Sequence, residues 1–344
     1  MVRIAFLGAG RIARVHAHSL AHLSEGRLVG VYDPDPQQGG RFAQEFSTSL
    51  FPTLEALWAS PEVDAVAVCS PLFAHCEHVV GAARAGKHVF CEKPIALTLD
   101  QADEMIAAAR EAGVVFMVGH VVRFMVEYVR IREWAVQGLL GDLRSAYAAR
   151  LSGLSAGSWR GWMLAPGRGL GVLDAHIHDL DYLQWLLGPA RRVRAAGWRF
   201  PAGTWAHATS WVEFAGGPVA VAEGSFAVPQ GFPFTMALRV LGSEGAATFA
   251  FEGLDYATPS RKALSLYRPG HLPQTVETTP INPYLEEMKT FLQGIREGTW
   301  PDRGHPDDAR AALALTLAVQ QALETGEAVE PHPPHSHRRG PEGG

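Results

Sequence analysis

Lys93 closes the segment Gly86-Lys87-His88-Val89-Phe90-Cys91-Glu92-Lys93-Pro94. Residues 88–91 are mostly apolar, the pattern of a short buried strand, and Glu92-Lys93-Pro94 falls at its carboxyl end. In an open parallel α/β sheet, ligands sit outside the carboxyl ends of the strands, so a lysine delivered there meets a pocket. An ammonium in that place can hold a reacting oxygen and stabilise negative charge developing on it. The chain has four lysines (Lys87, Lys93, Lys262 and Lys289), so few compete for the role. The plain alternative is a surface ion pair between Glu92 and Lys93, worth little to stability. The neighbouring sequence favours the pocket.

A second set lies in Gly171-Val172-Leu173-Asp174-Ala175-His176-Ile177-His178-Asp179-Leu180-Asp181. Leu180, Leu183, Trp185 and Leu187 continue it with helical spacing. Asp174 and His178 are four residues apart and share a helix face, with Asp181 near that face one turn on. A carboxylate one turn from a histidine can fix its tautomer and raise its basicity. Removing a hydroxyl proton needs such a base when hydride leaves the same carbon. His176 points elsewhere. Helical Asp/His clusters are more often polar networks than ligand sets, and no metal is expected.

Both sets need a frame. Residues 3–7 form a short, mostly apolar run, Gly8-Ala9-Gly10-Arg11-Ile12-Ala13 follows, and 14–23 has a helical pattern. Gly8 permits a tight turn, Gly10 lets the backbone approach a pyrophosphate, and Arg11 and Ile12 lead into the helix whose amino end favours phosphate. A second strand at 27–32 ends in Asp33, placed to accept hydrogen bonds from ribose hydroxyls. It would repel a 2′-phosphate, so NAD is expected rather than NADP. Further strands near 49 and at 64–69, 88–91 and 114–118 alternate with helices at 36–46, 54–59, 73–85 and 98–112. That alternation predicts a doubly wound parallel sheet, with Ser70 and Glu92 at strand ends beside the coenzyme groove.

After Gly119 the texture changes. A helix at 127–137 and a strand at 143–151 lead to the Asp/His helix. Strand-like runs follow at 193–200, 207–214, 219–228, 235–241, 246–251 and 263–267, separated by Gly- and Pro-containing turns. This predicts a mostly antiparallel sheet. It has few helices of its own, so one face is left for a subunit partner, with Trp205, Trp211 and Phe226 as aromatic candidates. Helices at 283–294 and 307–325 close the fold. The Pro-, His-, Arg- and Gly-rich stretch from Pro331 reads as disordered, and His332, His335 and His337 are given no role.

Composition agrees. A length of 344 residues suggests two domains, and 47% hydrophobic residues allow a sizeable core. The net charge of −5 argues against nucleic acid or an anionic membrane as partner. Cys69, Cys76 and Cys91 show no metal-ligand spacing and fit a reducing compartment. No leader is expected before the strand at Arg3, and no apolar run nears the ~20 residues of a membrane span. A cytoplasmic location is expected.

Three motifs, Gly-Ala-Gly-Arg-Ile-Ala at 8–13, Ala-Gly-Lys-His-Val-Phe-Cys-Glu-Lys-Pro at 85–94 and Gly-Val-Leu-Asp-x-His-x-His-Asp-x-Asp at 171–181, together carry a resemblance. The chain resembles the glucose–fructose oxidoreductase / inositol dehydrogenase / rhizopine catabolism (Gfo/Idh/MocA) oxidoreductases from Gly8 to about Pro331. The resemblance implies a Rossmann domain at 1–121 and a substrate-binding and oligomerisation domain at 122–330 with a large open sheet, followed by a tail at 331–344. It implies homodimers or homotetramers packed through that sheet. It makes Lys93 the active-site lysine and Asp174 and His178 the family's Asp/His pair. In such dehydrogenases the histidine takes the hydroxyl proton, the lysine holds the oxygen and the nicotinamide accepts hydride. Residues 119–124 look like the family's linker, with Arg123 reaching substrate or coenzyme. Val121 stands where many relatives carry asparagine. His176 replaces a common glycine, which narrows the pocket or adds a substrate contact. Trp159-Arg160-Gly161-Trp162 is similar to a segment near the site in relatives. The implied activity is NAD-dependent oxidation of a hydroxyl on a sugar, inositol or related polyol. An NAD-retaining glycoside-cleaving enzyme and a non-enzymatic NAD/sugar sensor are the other readings of the same fold.

Overall fold

A computed structural model describes residues 1–153, 170–201, 203–279 and 281–332. The first half alternates strand and helix: β1 (Val2–Leu7), α1 (Arg11–Leu20), β2 (Gly26–Tyr32), α2 (Pro36–Glu45), β3 (Ser49–Leu50) and α3 (Leu54–Trp58). It continues with β4 (Ala65–Val68), α4 (His75–Arg84), β5 (His88–Glu92), α5 (Leu99–Glu111) and β6 (Phe116–Gly119). The six strands pair in parallel in the order β3-β2-β1-β4-β5-β6. β4, Ala-Val-Ala-Val, is buried throughout, as a strand covered by helices on both faces must be. Thr98 caps α5 by accepting from the Gln101 amide, so the predicted start of that helix holds.

The second half runs α6 (Val126–Val136), β7 (Leu143–Leu151), α7 (Leu173–Leu187), β8 (Ala190–Arg199), β9 (Trp205–Phe214), β10 (Val219–Ser225) and β11 (Phe234–Gly242). Then come β12 (Ala246–Gly253), β13 (Pro259–Tyr267), β14 (Gln274–Val276), α8 (Pro283–Glu297) and α9 (Pro306–Thr325). The eight strands order as β14-β13-β12-β11-β7-β10-β9-β8. Only the β7–β10 pair is parallel. α7 packs on β7, β9 and β10, covering one face. Of the three aromatics expected on the other face, Trp211 is exposed, whereas Phe226 is buried and Trp205 packs partly buried against the core.

Two expectations shift. α8 does not stop at Gly294 but runs on to Gly298, which takes the left-handed conformation at φ 67°. Gly294 lies inside the helix, where an added Cβ would come within 2.8 Å of the Pro301 ring and the Thr299 carbonyl. The chain also folds back on its beginning. Met288, Phe291 and Leu292 of α8 share a core with Ile4, Phe6 and Phe90, and Ala309 and Leu313 of α9 share one with Ala5 and Val89. The first half is therefore completed by helices from the far end. Ion pairs reinforce the seam: Arg310 with Asp103 and Arg110 with Asp307. The tail residues His335 and His337 lie outside the described residues.

Candidate active site

The carboxyl ends of β1, β4, β5 and β6 lie along one edge of the parallel sheet, with the topological switch between β1 and β4. Gly8 sits there at φ +94°, and an added Cβ would lie 2.7 Å from the Cys69 carbonyl oxygen. Only glycine lets the turn after β1 lie so close to the end of β4. Gly10 caps α1, and nothing lies within 4 Å of where its Cβ would be. Open space before a helix amino end suits a pyrophosphate. Arg11 and Ile12 form the first helical residues beside it, exposed and half-buried.

Asp33, just past β2, turns its carboxylate back onto this turn. Oδ2 accepts from the Ala9 amide at 2.8 Å and from Gln38 at 2.8 Å, and Oδ1 accepts from the Asp35 amide at 2.9 Å. A carboxylate has about four acceptor positions. One remains for a ribose hydroxyl. The turn, the open space at Gly10 and this free acceptor fit a bound dinucleotide. Ser70, past β4, bonds its hydroxyl to His78 Nδ1 at 2.9 Å.

Lys93 reaches from the end of β5 to α7. Its Nζ donates to the Asp174 carbonyl oxygen at 2.8 Å and to the Asp174 carboxylate at 3.1 Å. An ammonium has three hydrogens, so one is left for another acceptor. His178 stands one turn further along α7, half-buried, with Nδ1 sealed and unpartnered among the described residues. Burial first, then the charges of Lys93, Arg150 and His120, push its imidazole well below its ordinary pKa. The ring is held in its neutral form and is a weaker base than a free imidazole, the reverse of the raised basicity expected from Asp174.

Four expectations change. Asp174 pairs with Lys93, not with His178: the ammonium is the stronger partner and comes within reach only in the folded chain. Arg123 is committed to carboxylates of the protein itself. Its Nε and one terminal nitrogen grip both oxygens of Asp181 at 2.8 and 2.7 Å, and the other terminal nitrogen holds Asp308 at 2.7 Å. With 2% exposure it is a buried tie between α7, α9 and the linker. His176 neither narrows the site nor contacts it. Its ring lies beneath the second sheet, bonding to Ser210 at 2.8 Å, in space left because Gly224 has no side chain. Burial drops its pKa to about 3. Glu92 turns inward: its carboxylate meets His16 at 2.6 Å and accepts from the Lys93 amide at 3.2 Å, so both of its oxygens have partners within the protein. Trp159-Arg160-Gly161-Trp162 lies outside the described residues.

The sequence reading missed several groups. His16 of α1 and Glu287 of α8 close around Glu92, with potential ligand atoms all within 4.8 Å of one another. Burial and the charge of Glu92 push Glu287 far above the usual carboxylate range, so it keeps its proton at neutral pH. The only sequence signal was a histidine on the buried face of the first helix. His120 also went unnoticed, although it follows Gly119, the register partner of Glu92, and so stands beside Lys93. Its Nδ1 lies 3.5 Å from Asp181.

Models of known families match both halves of the chain. Residues 2–120 match the oxidoreductase family with an NAD-binding Rossmann fold, and residues 128–248 match the GFO/IDH/MocA C-terminal domain. The chain is 32% identical to 1,5-anhydro-D-fructose reductase of Ensifer adhaerens over 338 residues, covering 96% of this chain and 98% of that protein. It is 34% identical to 2,7-anhydro-N-acetylneuraminate hydratase of Escherichia coli K12 over 188 residues, 55% of this chain but only half of that relative's length. An Agrobacterium radiobacter oxidoreductase solved with NAD+, L-tartaric acid and magnesium shares the fold, with a TM-score of 0.86 at 20% identity over 96% of this chain and 98% of that one. A dinucleotide turn and a lysine meeting an Asp/His helix, together with a relative matched almost end to end, place the chain in the Gfo/Idh/MocA family of NAD-binding oxidoreductases.

Proposed function

We propose that the protein is an NAD-dependent dehydrogenase oxidising a hydroxyl of a sugar, inositol or related polyol. The observation that carries this reading is the reach of Lys93 Nζ from β5 to Asp174 on α7, with neutral His178 one turn away. Residues 1–121 bind coenzyme in this reading, and 122–330 bind substrate and a second copy of the chain. The exposed Trp198 and Trp211 on the second sheet suit such a copy.

Bound NAD supplies the hydride acceptor. Lys93 directs its unused N–H at the reacting oxygen and stabilises the charge that grows there. Asp174 holds that ammonium through two acceptors, which fixes its direction. His178 takes the hydroxyl proton, as its neutral state allows. Asp33 favours a free 2′-hydroxyl on the adenosine ribose and so NAD over NADP.

A panel of sugars and inositols assayed with NAD and NADP tests this by absorbance of the reduced nicotinamide. NADH production on at least one polyol is expected, lost in Lys93→Ala while NADH still binds. Turnover with NADP alone would sink the Asp33 argument, and unchanged turnover in Lys93→Ala would sink the lysine assignment. The hydratase among the relatives favours one second reading, transient oxidation that drives elimination or hydration. Product formation without net NADH would favour it. Among the described residues, no helix is long and apolar enough to cross a membrane.

A further inference from the structure

His16 lies on α1, the helix that begins at the open space by Gly10, about 9 Å along the axis from that glycine at ~1.5 Å per residue. Its side chain is fully buried. The ring stands edge-on to Phe90 of β5 and Tyr284 of α8, with centroids 4.9 and 5.4 Å away. Its Nε2 lies 2.6 Å from Oε1 of Glu92, and its Nδ1 has no partner among the described residues. An ionised carboxylate only accepts, so Nε2 is the donor.

Glu92 is ionised even though it is buried. Burial pushes its carboxyl up, but the hydrogen bond from His16 outweighs that, with Lys93 adding to it, and the group falls below its ordinary value. Glu287 goes the other way and keeps its proton, so the two carboxyls carry one negative charge between them. Tyr284 and His75 also face Glu92; burial raises the phenol and lowers the imidazole, which leaves both neutral. The Cys69 and Cys91 thiols are raised by burial as well.

The other carboxylate oxygen points at the proposed site. Oε2 of Glu92 accepts from the Lys93 main-chain amide at 3.2 Å, where β5 ends. A chain of contacts therefore runs from the coenzyme turn along α1 to His16, then through Glu92 to the main chain of Lys93. We propose that His16 is a positioning residue, whose Nε2–H ties the Glu92 carboxylate to the coenzyme helix and so fixes Lys93 relative to the coenzyme turn. A ring that merely filled space could be replaced by any apolar group of its size, so the donor is the part to remove.

The effect on turnover rests on the dehydrogenase reading; the tie between His16 and Glu92 does not. His16→Met fills the space without a donor, and His16→Gln offers an amide N–H in place of Nε2–H. In His16→Met kcat should fall about 10- to 100-fold, the cost of misplacing a catalytic group by about an ångström, while KM for the polyol changes far less. His16→Gln should recover most of that loss. Adding Glu92→Gln to His16→Met removes the stranded carboxylate, so the thermal midpoint should rise while kcat stays low. Unchanged kcat in folded His16→Met, equal losses in the Met and Gln variants, or wild-type kcat in the double variant overturns the positioning role. Infrared spectra of the full chains at neutral pH give a readout free of catalysis. Without His16, burial should leave Glu92 protonated and add a carboxylic-acid carbonyl band to the spectrum. That band should be missing from wild type and His16→Gln, and should vanish when Glu92→Gln is added. A His16→Met spectrum without it overturns the hold of His16 on Glu92. If the wild-type chain oxidises no polyol, the dehydrogenase reading falls alone, and the infrared bands still decide the tie.

Discussion

Arg123 offers the sharpest test of how the site is held, because the sequence suggests a ligand and the structure shows a tie. Arg123→Met keeps the aliphatic bulk beside Trp185 but removes the cation that grips Asp181. The Asp181 carboxylate is 1% exposed and, among the described residues, would be left facing His120, 3.5 Å away. Breaking one side of a buried pair costs about 3–5 kcal/mol, because the stranded charge stays desolvated. The lost Asp308 contact adds little, since that side chain is 39% exposed. At ~2.1 cal/mol/K per residue, a cooperative chain of 344 residues carries an unfolding entropy of about 0.7 kcal/mol/K. The midpoint should therefore fall by about 4–7 °C in scanning calorimetry. In Arg123→Met with Asp181→Leu the stranded charge is gone, so the midpoint should return to near or above wild type. KM for an active polyol should hold in both variants at a temperature where they are folded. A raised KM with an unmoved midpoint would refute the tie and restore Arg123 as a ligand.

Asp174→Asn should lower kcat by about 10- to 100-fold through loss of control over Lys93. Because it acts through the lysine, its effect should nearly vanish in a Lys93→Ala background; full additivity there would show that Asp174 works elsewhere. Glu287→Gln should stabilise the fold, and more so at higher pH. The native acid has a raised pKa, so above the unfolded value of 4.5 the unfolded chain releases a proton that the native chain retains. Wild-type stability thus falls by up to ~1.4 kcal/mol per pH unit as pH rises toward the native pKa, and the glutamine variant escapes that loss. Thermal midpoints from pH 5 to 8 should diverge in its favour. A constant difference, or one that shrinks with pH, would mean that Glu287 is ionised in the native state.

What the sequence made legible was whatever neighbours in the chain decide. The glycine turn, the alternation of short apolar runs with helices, the cap at Thr98 and the stop at Gly326 depend on a few adjacent residues, and the structure follows them. The position of Lys93 was legible for the same reason: a strand end needs only the strand before it. The choice of partner was not. Asp174 is a helical turn from His178, but its ion pair is with a residue 81 positions earlier. Arg123 finds its carboxylates 58 and 185 positions later. Helical spacing says which groups are close enough to compete; electrostatics in the folded state chooses among them, and a cation outbids a neutral ring. The same logic explains why the first half could not be read as finished at residue 121. Its core lacks the apolar faces of α8 and α9 until the chain returns, and those faces lie more than 150 residues downstream, past a second sheet. A site assembled this way is specified at two levels. Local motifs deliver the proposed reacting groups to the groove edge, and distant pairs such as Lys93–Asp174 and Arg123–Asp181 fix the side chains around them. Substitutions that leave every motif intact can therefore still disarm it by changing who pairs with whom.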